Sequence, residues 1–310
     1  MINSLPTRLL GRDGLDVSVI CLGTWPLGGG MGALEEKQAI QTVHAALDAG
    51  TNFIDTAEGY YTSETVLGKA LVGRRDRVIL ATKLSGEHSP RNIRVAIENS
   101  LRKLRTDYID LYQLHRPRPD WPIAQTMAEL VKLKQEGKVR YLGVSNFNVE
   151  QTREAAAHAH ISSTQPQYSM IFRSAEQDLF PYCVAHGIGV MAYAPLARGL
   201  LSGKYTASHS FSEDDDRAKH PTLNQAVRES AVEISRRLTP WAKDHGYTMA
   251  QLAIAWTLGN AAVTTAICGA KTPQQAIENS EAGRWQLSEK DMAEIARQIE
   301  GLSPGVSDLR

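Results

Sequence analysis

Eight short apolar, β-forming runs, spaced by longer segments of helical period, constrain this chain more than any other feature. They are "VSVICLG" (17–23), "NFIDT" (52–56), "RVILATK" (77–83), "YIDLYQLH" (108–115), "VRYLGVS" (139–145), "STQPQYS" (163–169), "IGVMAYA" (188–194) and "VTTAICG" (263–269). Between them lie segments such as "LEEKQAIQTVHAALDAG", ending on Gly50, and "SPRNIRVAIENSLRKLR", in which Ser89 and Pro90 stand as cap and first helical residue. Strands alternating with helices imply parallel pairing through crossovers. Eight near-continuous apolar strands fit an α/β protein built as a (β/α)8 TIM barrel better than an open sheet. Ahead of them, "TRLLGRDGLDVSV" reads as a β-hairpin around Gly11 to Gly14, a plug for the far end of the barrel. The reading is one barrel domain over residues 1–310.

Several runs end on a polar residue: Asp55, Lys83, His115, Ser145 and Gln167. In a barrel these ends converge on one face, where residues from separate strands share a pocket. Asp55, Lys83 and His115, taken with Tyr60, suit one chemistry. Reducing a carbonyl by hydride transfer puts negative charge on its oxygen, which needs a hydrogen bond and then a proton. A tyrosine can give that proton, but an unperturbed phenol titrates near pH 10. A neighbouring ammonium such as Lys83 favours the phenolate, Asp55 would hold that lysine charged, and His115 would add a second hydrogen bond. Singly, each residue has a plainer explanation: a cap, a wall, a solvated lysine, a satisfied histidine.

Other classes fit less well. Basic and acidic residues balance at 34 each, without a block of one sign, which argues against a nucleic-acid surface or a polybasic membrane anchor and for a small-molecule partner. Cys21, Cys183 and Cys268 lie far apart in apolar runs, as reduced core residues do. The start, "MINSLPTRLLG", lacks the apolar stretch of a signal peptide, so the expectation is cytoplasmic. Residues 252–270 carry no charge, but "LGNAAVTT" breaks them at a Gly-Asn turn, unlike a spanning helix. In "GTWPLGGGMG" the glycines at 28, 30 and 32 miss the dinucleotide fingerprint, whose third glycine would fall on Ala33; they read as a flexible loop beside a pocket. The remaining histidines fall mostly in helices or loops, and no metal site is expected. The acidic stretch "SHSFSEDDDRAKHPTLN" reads as either a solvated loop or a lid.

The longer motifs carry a resemblance. "NFIDTAEGYYTSETVLGKAL", "ILATK", "NSLRKLRTDYIDLYQLHRP" and "EGKVRYLGVSNF", in this order over nearly the whole chain, resemble the aldo-keto reductase superfamily, in the style of its bacterial reductases and potassium-channel β subunits. "YAPLARGLLSGKY" and "GAKTPQQAIEN" resemble its cofactor-binding segments. The resemblance implies NADPH-dependent carbonyl reduction without metal, by a tetrad at Asp55, Tyr60, Lys83 and His115. It implies that Ser145, Asn146 and Gln167 hold the nicotinamide carboxamide and that Tyr193 stacks on the ring. Pro195, Leu196, Gly199 and Lys204 would follow the pyrophosphate, and Gly269, Lys271, Gln275, Glu278 and Asn279 the adenosine end. Thr24 and Trp25 would line the nicotinamide ribose and the substrate mouth.

Three departures bear on selectivity. Gln275 stands where relatives often carry arginine, leaving the 2′-phosphate of NADPH mainly to Lys271, so NADH is expected as a weaker cofactor. Tyr61 replaces a frequent glycine, and Arg116 follows the histidine directly; both are expected at the substrate pocket, beside Trp25, Tyr60 and His115. The alternative on the same barrel is a low-turnover NADPH-binding sensor or interaction subunit.

Overall fold

The structure, a computed structural model, describes residues 5–12 and 14–302. Eight parallel strands close into a barrel: β3 (Ile20–Gly23), β4 (Phe53–Asp55), β5 (Ile79–Leu84), β6 (Ile109–Leu114), β7 (Val139–Ser145), β8 (Ser163–Gln165), β9 (Gly189–Tyr193) and β10 (Val263–Gly269). They neighbour each other in chain order, and β10 closes the ring by pairing with both β3 and β9. An antiparallel pair, β1 (Thr7–Leu10) and β2 (Leu15–Ser18), precedes them. Asp13, at the tip of that hairpin, lies outside the described residues.

The first apolar run therefore serves two sheets. "VSVICLG" reads as one strand, but Val17 and Ser18 end the hairpin, whereas Ile20 to Gly23 begin the barrel. Both halves are buried, so hydrophobicity does not mark the corner. The hairpin plugs the barrel's N-terminal end as expected. Leu10, Leu15 and Val17 pack with the inward-facing Cys21, Phe53, Ala81, Leu111, Met191 and Ile267. At Gly11 (φ 79°) a Cβ would stand 2.4 Å from the Ser162 carbonyl oxygen, so a glycine is needed for this approach.

Helices follow the strands and cover the outside: α1 (Glu36–Asp48), α2 (Ser63–Ala70), α3 (Pro90–Leu104), α4 (Ile123–Gln135), α5 (Val149–His158), α6 (Leu179–His186), α7 (Gln225–Asp244), α8 (Met249–Gly259), α9 (Pro273–Ala282) and α10 (Glu289–Gln298). Ser89 caps α3 by accepting from Asn92 N at 3.2 Å, with Pro90 at its first position. The uncharged stretch 252–270 divides between α8 and β10, with Asn260 at the corner, and no helix among the described residues is long and apolar enough to cross a membrane. The loop after β3 is packed rather than flexible. Pro26–Gly28 form a 3-10 turn; an added Cβ would fall 2.1 Å from the Tyr60 carbonyl at Gly28 and 2.0 Å from the Trp25 indole nitrogen at Gly30.

Candidate active site

At the C-terminal end of the barrel Asp55, the last residue of β4, is 2% exposed and meets side chains from three other strands. Its Oδ2 lies 2.5 Å from Lys83 Nζ on β5. Its Oδ1 accepts from Gln113 Nε2 on β6 at 3.1 Å and from Gln165 Nε2 on β8 at 3.0 Å. Lys83 is fully buried, and its three ammonium hydrogens meet three acceptors: Asp55 Oδ2, the Thr56 carbonyl at 2.9 Å and Tyr60 Oη at 3.5 Å. Burial alone would lower the Lys83 pKa; the Asp55 charge, helped by Tyr60, outweighs it and leaves the pKa raised. A charged ammonium is thus held against a phenol oxygen.

His115 follows β6, with its backbone N donating to the Leu84 carbonyl at 3.0 Å. Its ring meets Tyr60 edge-on at 5.5 Å, and its Nδ1 lies 2.7 Å from Ser85 Oγ. Burial first, then the charges of Lys83 and Arg116, lower its pKa to about 3, so the imidazole is neutral near pH 7. Asn146, in the left-handed region at φ 61°, donates from Nδ2 to the His115 carbonyl at 2.9 Å and accepts from Tyr193 Oη at 2.8 Å. Ser145 Oγ donates to the Gln165 carbonyl at 3.0 Å.

Asp55, Tyr60, His115, Ser145, Asn146, Gln165 and Tyr193 of this group line a cavity of about 580 Å³. Its lining includes Thr24, Trp25, Asp55, Tyr60, His115, Arg116, Ser145, Asn146, Tyr193, Pro195, Leu196, Gly199, Lys204, Gly269, Lys271, Gln275, Glu278 and Asn279, all expected from the sequence. Two expectations are corrected. Run 163–169 reads as a strand ending polar at Gln167, but the ladder covers only Ser163–Gln165, and it is Gln165 that faces the cavity. Gln167 pairs by backbone with Tyr193 and lies outside the lining. Tyr61 is not a pocket wall either: it is 62% exposed, and its hydroxyl donates to the Asp216 carboxylate. Its φ of 48° accounts for a glycine preference at that position.

Sequence reasoning missed Gln113, Gln165, Ser85, Arg198, Arg217 and His220. For Gln113 a signal existed: it stands two residues before His115, on the same strand face, where the barrel interior should be apolar. The segment 205–224 is more than a solvated loop. Arg217 pairs with Asp215 at 2.6 Å and donates to the Arg198 carbonyl at 3.2 Å, and Met31 bridges Asp215. Tyr205, Arg217 and His220 form part of the cavity wall. On the same side Lys271 Nζ donates to the Met31 carbonyl at 2.6 Å, and Gln275 Oε1 accepts from Lys271 N at 2.8 Å, so Gln275 shapes the turn into α9. Among the described residues no cluster of His, Cys, Asp and Glu could hold a metal ion.

Comparison with known proteins agrees with this architecture. The model of the aldo/keto reductase family matches residues 19–300. Aldo-keto reductase YhdN of Bacillus subtilis (strain 168) is 38% identical over 301 residues, 92% of this chain and 91% of that protein. The NADH-specific methylglyoxal reductase of Escherichia coli (strain K12) is 33% identical, covering 94% and 98%. Among solved structures, the glycerol dehydrogenase AKR11B4 from Gluconobacter oxydans superposes with a TM-score of 0.86 at 34% identity over 98% of each chain. An aldo/keto reductase from Klebsiella pneumoniae, in complex with NADP and acetate, gives 0.78 at 32% identity, also over 98% of each. With matched segments spanning the barrel from its first strand to its last helix, this chain belongs to the aldo/keto reductase family.

Proposed function

We propose that this chain interconverts an aldehyde or ketone and the corresponding alcohol with NADP(H), and that Tyr60 gives the proton in the reducing direction. The observation that carries the reading is the buried chain Asp55–Lys83–Tyr60, ending at an open cavity beside a neutral His115.

The cavity suits an extended dinucleotide. Ser202 Oγ is buried in its lining without a hydrogen-bond partner, and the adenosine end offers Lys271 and Asn279. Tyr193, Ser145, Asn146 and Gln165 would hold the nicotinamide; Leu196, Gly199 and Lys204 would follow the pyrophosphate; Thr24 and Trp25 would line the ribose. When bound, the reduced nicotinamide supplies a hydride to the carbonyl carbon. This chain's residues do the rest. Tyr60 Oη and the neutral His115 ring donate to the substrate oxygen, and Tyr60 then transfers its proton. Lys83 stabilises the negative charge left on Tyr60 Oη, and Asp55, fixed by Gln113 and Gln165, keeps the ammonium in place. Because Lys83 is fully buried, its charge acts on Tyr60 with little screening.

The test is NADPH consumption with an activated aldehyde. Wild-type protein should turn over and Tyr60→Phe should lose about 10²- to 10⁴-fold in kcat, the usual worth of a positioned acid. Near wild-type turnover in Tyr60→Phe would sink the mechanism. Tight NADPH binding with no turnover across a broad carbonyl panel would point to the sensor instead.

A further inference from the structure

The substrate end of the cavity carries more positive charge than this chemistry uses. Arg116 directly follows His115, and Arg198 sits in the turn after β9; both line the cavity with Tyr60, Trp25 and His220. The Arg198 guanidinium stands 4.9 Å over the Trp25 ring, and its Nε is buried without a hydrogen-bond partner. The turn holds Ala197, Arg198 and Gly199 in succession at positive φ, a costly geometry for the first two, and Arg217 braces it through the Arg198 carbonyl. Arg217 is neutralised by Asp215, whereas no carboxylate forms an ion pair with Arg116 or Arg198 among the described residues. Asp216, which acts on Arg198 from further away, accepts the Tyr61 hydroxyl, and Asp55 is tied to Lys83. The two guanidiniums lie near enough to act on the same groups. Burial first, then Arg198 and Arg116, lower the His220 pKa to about 4, and both oppose the rise that burial imposes on Tyr193.

We propose that Arg116 and Arg198 form an oxyanion site beside the reacting centre, and that the substrates of this chain are carbonyl compounds bearing a carboxylate. Guanidinium forks match a carboxylate bidentately, and a neutral substrate would leave both charges without a counter-ion. The reaction rests on the reductase reading; the binding does not. The other oxyanion such a site could take is the pyrophosphate of the dinucleotide, and the test separates the two.

Benzoate and benzamide would be titrated into the protein by calorimetry, with and without saturating NADP+. Benzoate should bind at least about tenfold more tightly with NADP+ present, as charge-assisted hydrogen bonds allow. The advantage should shrink towards about 1 M salt, where the screening length is ~3 Å. Arg116→Gln and Arg198→Gln should each cut the benzoate-to-benzamide ratio by about tenfold. If Arg198→Gln does not fold, Arg116→Gln, at an exposed position, carries the same test. In turnover, 4-formylbenzoate should be preferred over its methyl ester, and Arg116→Gln should abolish the preference. Equal binding of the two probes overturns the proposal. So do arginine variants that weaken NADP+ binding but leave the probe ratio intact, which would assign both residues to the dinucleotide phosphates. Unimpaired turnover in Tyr60→Phe would remove the reductase mechanism and leave the probe ratio to decide this site alone.

Discussion

Tyr61 Oη donates to the carboxylate of Asp216 at 3.1 and 3.2 Å, tying the loop after β4 to a segment 155 residues further along the chain. The adjacent Tyr60 instead faces Lys83 at the cavity floor. One step in sequence separates proton chemistry from a tether. Tyr61→Phe and Asp216→Asn should therefore share one phenotype: faster proteolytic cleavage within 205–224, with global stability lowered by no more than about 1 kcal/mol, as for an exposed hydrogen bond. Their kcat values on a small aldehyde should stay far above that of Tyr60→Phe. Comparable catalytic losses in Tyr60→Phe and Tyr61→Phe would refute the division.

The buried pair should be visible in stability as well as in turnover. Lys83→Met leaves the Asp55 carboxylate buried with only the amides of Gln113 and Gln165, and losing one partner of a buried ion pair costs about 3–5 kcal/mol. Adding Asp55→Asn removes the stranded charge. The double variant should be more stable than Lys83→Met alone, read as a higher urea midpoint at unchanged m-value. A double variant that shows the sum of the two single losses would mean that the charges do not interact.

The barrel was legible because parallel strands buried on both faces leave long apolar runs, and the proposed tetrad is suggested by residues standing at or just beyond the ends of such runs. What escaped depends on closure. The Asp55–Gln113–Gln165 network joins β4, β6 and β8, three non-adjacent strands whose side chains meet only inside the closed ring. The sequence points to Gln167 because hydrophobicity does not show that the strand stops at Gln165, before Pro166, after three residues. Tyr61 and Arg198 escaped for a different reason: both sit at positive φ, which sequence alone suggests only for glycine.

Histidine protonation gives the chain a defined acid response. Burial, ahead of neighbouring positive charge, lowers the pKa of His115 from 6.5 to about 3 and those of His88 and His220 to about 4. The unfolded chain therefore binds more protons as pH falls below 6.5, so stability drops from there down to the folded values and then levels off. Each histidine contributes a slope of up to about 1.4 kcal/mol per pH unit. His115→Gln should make the fall in stability between about pH 6.5 and 3 shallower by up to about 1.4 kcal/mol per pH unit, measured by urea unfolding at several pH values. An imidazole NMR signal of His115 that titrates near 6.5 would contradict the geometry. Turnover above pH 5 should likewise show no inflection from this ring.

Cofactor choice should rest on one lysine. Lys271 Nζ donates to the Met31 carbonyl, while Gln275 spends its side-chain oxygen on the Lys271 backbone and brings no charge. A 2′-phosphate would therefore meet a single point charge in place of a guanidinium fork. Lys271→Met should weaken NADP+ binding by about tenfold and leave NAD+ nearly unchanged, since one exposed charged contact is worth roughly 1–2 kcal/mol. Gln275→Arg should do the reverse, tightening NADP+ selectively, provided that the turn into α9 survives loss of the Gln275–Lys271 bond; retained circular dichroism and melting temperature would check that. Equal losses for both nucleotides in Lys271→Met would place the lysine away from the 2′-phosphate, at a group that the two nucleotides share.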